Sequence, residues 1–271
     1  MENGVVNGHG FQPVSTFWPT RYLEASVGDT ADKASTALIV LNTPISDYTF
    51  FKRLYNHAGY VVCADGGANR LHDLLVNEFS DQEAVEALKS SPPNAIHGDL
   101  DSLERHVREQ YEQIGTSISL DPDQYSTDFQ KAIKKTVEQK PNTQNILILG
   151  SIAGRVDQGI GLLHEMYREQ RLNHPELTFW LFSEASISIV LRRGTTAIHT
   201  PLKSGLITPN VGILPLYGRA SITIQGFEWD VEDWPTEMGG QVSTSNHIVA
   251  DQVTITTDVS VLFTVERKVG R

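Results

Sequence analysis

The chain has 271 residues, enough for two compact domains at roughly 100–200 residues each, and 39% of them are hydrophobic, which excludes global disorder. Against 33 Asp and Glu stand 22 Lys and Arg, a net charge of −11. Gripping nucleic acid is therefore not its main work, because that needs cations to neutralise phosphates, although a bound metal ion could still serve small phosphorylated substrates. The single cysteine, Cys63, excludes an internal disulfide framework and a cysteine-based zinc cage.

Residues 1 to 35 read as a polar N-terminal extension, partly mobile, with one aromatic island, FQPVSTFWPTRYL, expected to pack on a neighbour. The opening MENGVVNGHG has neither a basic nor an apolar signal region, and no run approaches the ~20 apolar residues of a membrane span. A soluble cytoplasmic protein is the expectation.

From residue 36 short apolar runs follow: TALIVL (36–41), YVVCAD (60–65), AIHGDLD (95–101), SISLD (117–121), NILILG (145–150) and TFWLFS (178–183). Runs this apolar predict strands buried on both faces of a parallel sheet. Between them SDYTFFKRLYNHAG, ANRLHDLL, SLERHVREQYEQIG, STDFQKAIKKTVEQ and RVDQGIGLLHEMYREQ carry capping signals and helical spacing. The alternation predicts an α/β domain over 36–183 with an open, mostly parallel sheet. After about residue 184 no helix is evident; six strand-like stretches, from SISIVLRRG to VTITTDVSVLFTVERK, predict an all-β sandwich over 184–271.

In open α/β sheets ligands bind beyond the carboxyl ends of the strands, and there this chain places its unusual residues. Strand two ends in Asp65, Gly66 and Gly67. Strand three ends in Gly98, Asp99, Asp101 and Ser102. The fourth leads to Asp121, Asp123, Gln124, Ser126, Thr127, Asp128 and Lys131, and the fifth to Gly150, Gly154, Arg155, Asp157 and Gln158. Carboxylates converging on one edge repel unless protonated or metal-bound, and oxygen-only ligation suits Mg2+, Mn2+ or Ca2+. Glycines let backbone N–H groups approach a bulky anion, and helix N-termini complement it. The set predicts a metal-bridged polyphosphate site. Neither the G-x-x-x-x-G-K-[ST] loop nor the G-x-G-x-x-G fingerprint is present. Singly, each piece has a plainer reading: DGG as a turn, D-x-D and S-T-D as helix caps, Asp157 as a first-turn acid, Cys63 as core filler. Their conjunction on one edge favours the site. The nine histidines show no ligand spacing.

The ordered set CADGGANRL, GDLDS, PDQYSTDFQKA and GSIAGRVDQ resembles eukaryotic thiamine pyrophosphokinase, and GFEWDV and QVSTSN resemble that family's C-terminal thiamine-binding segments. The likeness spans nearly all of the chain beyond the N-terminal extension. It departs at Ser151, where the family's turn commonly continues with glycine, and at Gln158, where many members have histidine. The resemblance implies a homodimeric, Mg2+-dependent transfer of pyrophosphoryl from ATP to thiamine, the hydroxyl attacking the β-phosphorus and AMP leaving. It implies Asp65, Asp99, Asp101 and Asp128 as the acidic set around the metal, with Asp99 and Asp101 foremost as ligands and either one accepting the hydroxyl proton. It implies nucleotide contacts from Gln124, Ser126, Thr127 and Lys131 beside Gly66, Gly67, Gly98 and Gly154, and a phosphate end completed by Arg155 and Asp157. Trp229, Ser243, Ser245 and Asn246 would hold thiamine; without the resemblance, Trp229 reads as a sandwich-core residue. Rival readings are a pyrophosphokinase acting on another hydroxymethyl heterocycle, a metal-dependent nucleotide-sugar transferase, and a non-catalytic binding module.

Overall fold

The computed structural model describes residues 15–25 and 30–269. The predicted alternation is present: β2 (Thr36–Val40), α2 (Tyr48–His57), β3 (Tyr60–Ala64), α3 (Gly67–Glu78), α4 (Asp81–Ser90), β4 (Ala95–Gly98), α5 (Arg105–Gln113), β5 (Ser117–Leu120), α6 (Asp128–Gln139), β6 (Asn145–Leu149), α7 (Val156–Arg168) and β7 (Thr178–Phe182). They are preceded by β1 (Ser15–Phe17) and α1 (Thr30–Ala34). Of these, α4 is absent from the sequence reading, although Ser80 and Glu83 form a capping box at its start. The rest of the chain is β8 (Ser186–Leu191), β9 (Gly194–His199), β10 (Ile207–Leu214), β11 (Ala220–Gln225), β12 (Val231–Thr236), β13 (Ser243–His247), β14 (Gln252–Thr257) and β15 (Val261–Arg267). The stretch from 220 to 231 breaks into two strands at Gly226, whose φ of +92° turns the chain.

The chain has an α/β part with a parallel sheet and a β-rich remainder, and hydrogen bonding runs across the join. A ten-stranded sheet has the order β13-β10-β15-β8-β7-β6-β2-β3-β4-β5. Its strands from β7 to β5 are parallel, and those from β8 to β13 antiparallel. Residue 184, where the sequence suggests a boundary, lies in the β7–β8 turn, where Ser183 and Ser186 exchange hydrogen bonds and the sheet continues from one strand to the next. A five-stranded sheet, β1-β9-β14-β11-β12, completes the sandwich.

The two faces of the parallel sheet take alternate residues, as the period of two requires. Leu38 and Val40 face a core continuous with α2, α3 and the sandwich interior. Ala37 and Ile39 face a second cluster with Phe129 and Ile133 of α6 and Met166 of α7. Cys63 is buried and unpaired. The described part of the aromatic island packs as expected: β1 pairs with β9, Phe17 meets Trp180 edge-on at 5.4 Å, and Tyr22 is buried beside Trp180 and Phe182. Residues 1–14 and 26–29, part of the stretch expected to be mobile, lie outside the described residues. Among the described residues no helix is long and apolar enough to cross a membrane.

Candidate functional site

The parallel strands deliver their carboxyl ends to one edge. Beyond β3, Asp65 is 1% exposed and adopts a left-handed φ of +42°, a conformation a non-glycine side chain holds only when its surroundings impose it. Its amide donates to the His97 carbonyl at 3.0 Å, and its Oδ2 accepts the Ser102 amide at 3.1 Å. Beyond β4, Leu100 is the second non-glycine residue with positive φ (+61°), between Asp99 and Asp101, and the Asp101 amide donates to Asp99 Oδ1 at 3.4 Å. The third carboxylate, Asp128, opens α6, where Thr127 and Gln130 form a capping box.

Asp65, Asp99 and Asp128 each offer an oxygen within 4.8 Å of the other two. The Lys131 ammonium, buried one helical turn on, donates to Asp99 Oδ2 at 3.1 Å and Asp128 Oδ1 at 3.4 Å. Gly98 lies against the group: a Cβ there would stand 2.8 Å from Asp65 Cβ and 2.9 Å from Asp128 Oδ1. Burial pushes the Asp65 carboxyl above its usual range despite its bonds to Ser102, and the charges of Asp128 and Asp99 push the same way. Burial, then Asp99, raises Asp128. For Asp99 burial also pushes upward, but the Lys131 and Asp101 hydrogen bonds outweigh it and hold the group low. Three carboxylates and one ammonium leave an excess negative charge, and Asp65 Oδ1 is buried without a hydrogen-bond partner among the described residues. An all-oxygen set with an orphaned buried carboxylate oxygen fits a hard divalent cation such as Mg2+.

Beside this group opens a cavity of about 460 Å3. Asp99 and Asp128 stand at one side with Ser126 and Thr127; Leu41, Asn42 and Thr43 from the end of β2 and Ser151 from the end of β6 line another; Asp157, Gln158, Gly161, Leu162 and Glu165 of α7 form a third. Several expected residues stand off. Asp101 is exposed outside the three-carboxylate group and accepts from the Ser102 hydroxyl at 3.1 Å. Gln124 is exposed and does not line the cavity. Gly66 and Gly67 start α3, with Gly67 packed tightly on the Val40 carbonyl. Gly154, with φ +87°, turns the chain before Arg155, whose exposed guanidinium forks onto Asp157 at 3.1 and 2.6 Å.

A second cavity, about 240 Å3, gathers the other expected set. Trp229, Ser243, Ser245 and Asn246 line it together with Trp234 and Val231. Trp229 is 54% exposed, so it is a wall of this cavity and not a core residue. The Asn246 amide is engaged with the main chain: its Oδ1 accepts the Trp229 and His247 amides at 3.2 and 2.8 Å, and its Nδ2 donates to the Trp229 carbonyl at 2.9 Å. It sets the position of Trp229. Sequence reasoning missed Asn42, Thr43, Glu165 and Trp234. The first two had a signal, since the strand-end rule covers β2 as well, but its LNTP turn carries no charge to draw notice.

Comparison with known proteins gives one answer. The family described as "Thiamin pyrophosphokinase, catalytic domain" matches residues 51–178, and "Thiamin pyrophosphokinase, vitamin B1 binding domain" matches residues 195–262. Thiamine pyrophosphokinase 1 of Arabidopsis thaliana is 33% identical over 248 residues, covering 88% of this chain and 90% of that protein. The solved thiamin pyrophosphokinase from Candida albicans superposes with a TM-score of 0.78 at 25% identity, over 94% of this chain and 93% of that one. The yeast thiamin pyrophosphokinase structure, at 24% identity, shares the fold with a TM-score of 0.80 over 99% and 97% of the two chains.

Proposed function

The chain belongs to the thiamine pyrophosphokinase family, and from that premise we propose how its own residues carry the transfer of pyrophosphoryl from ATP to the thiamine hydroxyl, with thiamine diphosphate and AMP as products. The observation that carries the reading is the Asp65–Asp99–Asp128 group, with its orphaned oxygen, beside the larger cavity. ATP lies in that cavity with its polyphosphate toward the group. Asp65, Asp99 and Asp128 would hold Mg2+, which would supply neutralising charge to the polyphosphate. Lys131 holds Asp99 and Asp128 in place and keeps Asp99 ionised. Arg155, whose fork rests on Asp157, turns it onto phosphate oxygens, where a planar bidentate donor suits the spreading charge. Asp101, outside the carboxylate group and open to solvent, accepts the proton of the attacking hydroxyl.

Thiamine lies in the smaller cavity, its cationic thiazolium against the Trp229 face. Six strand steps separate β13 from β2 in the sheet, about 29 Å at ~4.8 Å per step, whereas reacting atoms must come within about 3.5 Å. This spacing supports a homodimer in which the thiamine cavity of one subunit meets the nucleotide cavity of the other. A buried, unpaired Cys63 suits a reducing compartment such as the cytoplasm.

The test is the purified chain with Mg-ATP and thiamine, followed for AMP and thiamine diphosphate. Release of both, abolished by chelation, is expected. AMP release with a hydroxymethyl pterin in place of thiamine, and none with thiamine, would overturn the acceptor assignment.

A further inference from the structure

On α7 the residues Gln158, Gly161, Leu162 and Glu165 face the larger cavity. Spaced three, one and three apart, they form one face of the helix. The character of that face changes along its length. At its start stands the charged Asp157–Arg155 pair. Gly161 and Leu162 then make a low apolar step, a Cβ at Gly161 meeting nothing within 4 Å. Glu165 lies eight residues past Asp157, about 12 Å along the axis at 1.5 Å per residue.

Glu165 Oε2 is buried and accepts no hydrogen bond among the described residues; it forms an ion pair with Arg168 Nη1 at 3.6 Å, too long for a hydrogen bond. Thr43 Oγ1, just past β2, lines the same cavity and is likewise buried without a partner among the described residues. The order β6-β2-β3 makes the β2–β6 pair the switch point of the parallel sheet, the place where such sheets bind ligands. Buried polar atoms in a folded chain are normally hydrogen-bonded, and two that lack a hydrogen bond on one cavity wall, one of them with only a long ion pair, point to a ligand that completes them.

We propose that this end of the cavity is the nucleoside subsite and that Glu165 and Thr43 determine which nucleotide the chain uses. The flat step at Gly161 and Leu162 takes the base. Glu165 Oε2, which as a carboxylate only accepts, accepts a hydrogen bond from a donor on the nucleoside, a ribose hydroxyl or the exocyclic amine of adenine. Thr43 Oγ1 bonds the same end of the ligand. The inference rests on the reading that the polyphosphate of ATP lies at the carboxylate group.

The experiment is steady-state kinetics of the full chain with Mg2+ and thiamine, using ATP, 2′-deoxy-ATP, 3′-deoxy-ATP and inosine triphosphate. Wild type, Glu165→Gln and Thr43→Val are compared, with thermal melts to check folding. Glu165→Gln is expected to raise the KM for ATP about 10- to 100-fold, with kcat and the KM for thiamine nearly unmoved. The shape-conserving Thr43→Val should raise it about 3- to 10-fold. Wild type should reject one class of analogue by a factor like that of Glu165→Gln, and Glu165→Gln should no longer distinguish it from ATP. Loss with a deoxy nucleotide assigns the ribose hydroxyl; loss with inosine triphosphate assigns the amine. Wild-type KM for ATP in both variants, or equal use of all four nucleotides by wild type, overturns the subsite while leaving the polyphosphate reading intact. No AMP from wild type removes both. Should Glu165→Gln fail to fold, Thr43→Val and the wild-type nucleotide series decide alone.

Discussion

The two halves of the ten-stranded sheet build cavities by different means. In the parallel half every strand points the same way, so all the loops that leave the carboxyl ends open on one edge, and charge accumulates there: Asp65, Asp99, Asp128, Lys131 and Asp157 converge from elements far apart in the chain. In the antiparallel half successive strands reverse, so no edge collects loops of one kind. The smaller cavity forms on strand surfaces instead, from Ile224 of β11, Val231 and Trp234 of β12, four consecutive residues of β13 and the neighbouring Trp229 and Val242, and its lining is aromatic, aliphatic, hydroxylic and amide, with no charged side chain. Parallel topology concentrates charge for polyphosphate chemistry, and antiparallel topology supplies a neutral, π-rich wall suited to a flat cation.

The comparison breaks first at the charged edge. Asp99→Asn or Asp128→Asn should cost on the order of 10²-fold or more in kcat, because charge placed for the transition state is removed. Both side chains are partly open, so the metal-free melting temperature should move little. Mg2+ should raise the melting temperature of wild type and not of Asp128→Asn. Near-normal turnover of both variants at saturating Mg2+ would remove the group from the reaction.

The neutral wall is tested by Trp229→Ala, expected to weaken thiamine roughly 30-fold, about 2 kcal/mol of desolvated cation–π contact, and to leave the KM for ATP unchanged. Mixing it with Asp99→Asn sharpens the claim that one site draws on both halves. Exchanged subunits should regain activity, since one of the two sites in a mixed dimer then holds neither lesion. Exchange without recovery would confine Trp229 to its own chain.

A smaller change is expected for Arg155→Lys. Lysine keeps the charge but not the planar fork, so kcat/KM for ATP should fall about 10-fold with an unchanged melting temperature, the guanidinium being exposed. A silent variant would make the Arg155–Asp157 pair a loop brace only.

The smallest effect separates the halves by acid sensitivity. His57 and His72 belong to the α/β half, and burial lowers both, with the nearby His106 adding to the effect on His72. Their folded pKa values lie below the unfolded one, so on acidification the unfolded chain takes up protons first. The stability they contribute is complete above about pH 6.5 and declines as the pH falls below it. Melting temperature against pH should show this slope, and His57→Phe should flatten it; an unaltered slope would exclude His57.

Much of this was legible in the residues. Apolar runs alternating with capped amphipathic segments gave the parallel sheet, since strand burial and helix capping are local properties. The polar turns after β3, β4, β5 and β6 identified the charged edge for the same reason. The sequence also held the elements of the second cavity, in Trp229 and the hydroxyls of QVSTSN.

Other features depended on elements far apart in the chain. Lys131 reads in sequence as one more lysine of an amphipathic helix; only the packing of α6 on β3 and β4 buries it between two carboxylates. Asn246 looks like a ligand-facing amide, yet the bridge between Phe227 and Ile248 brings the Trp229 main chain against it and engages its oxygen and nitrogen there. Thr43 and Glu165 carry no pattern at all, and a shared cavity 122 positions apart in number is what relates them. Composition and periodicity determined which elements form and which strand ends bear charge, because those follow from neighbours in the chain. Which side chains meet was decided by strand order and helix docking, because contact and desolvation belong to the packed structure alone.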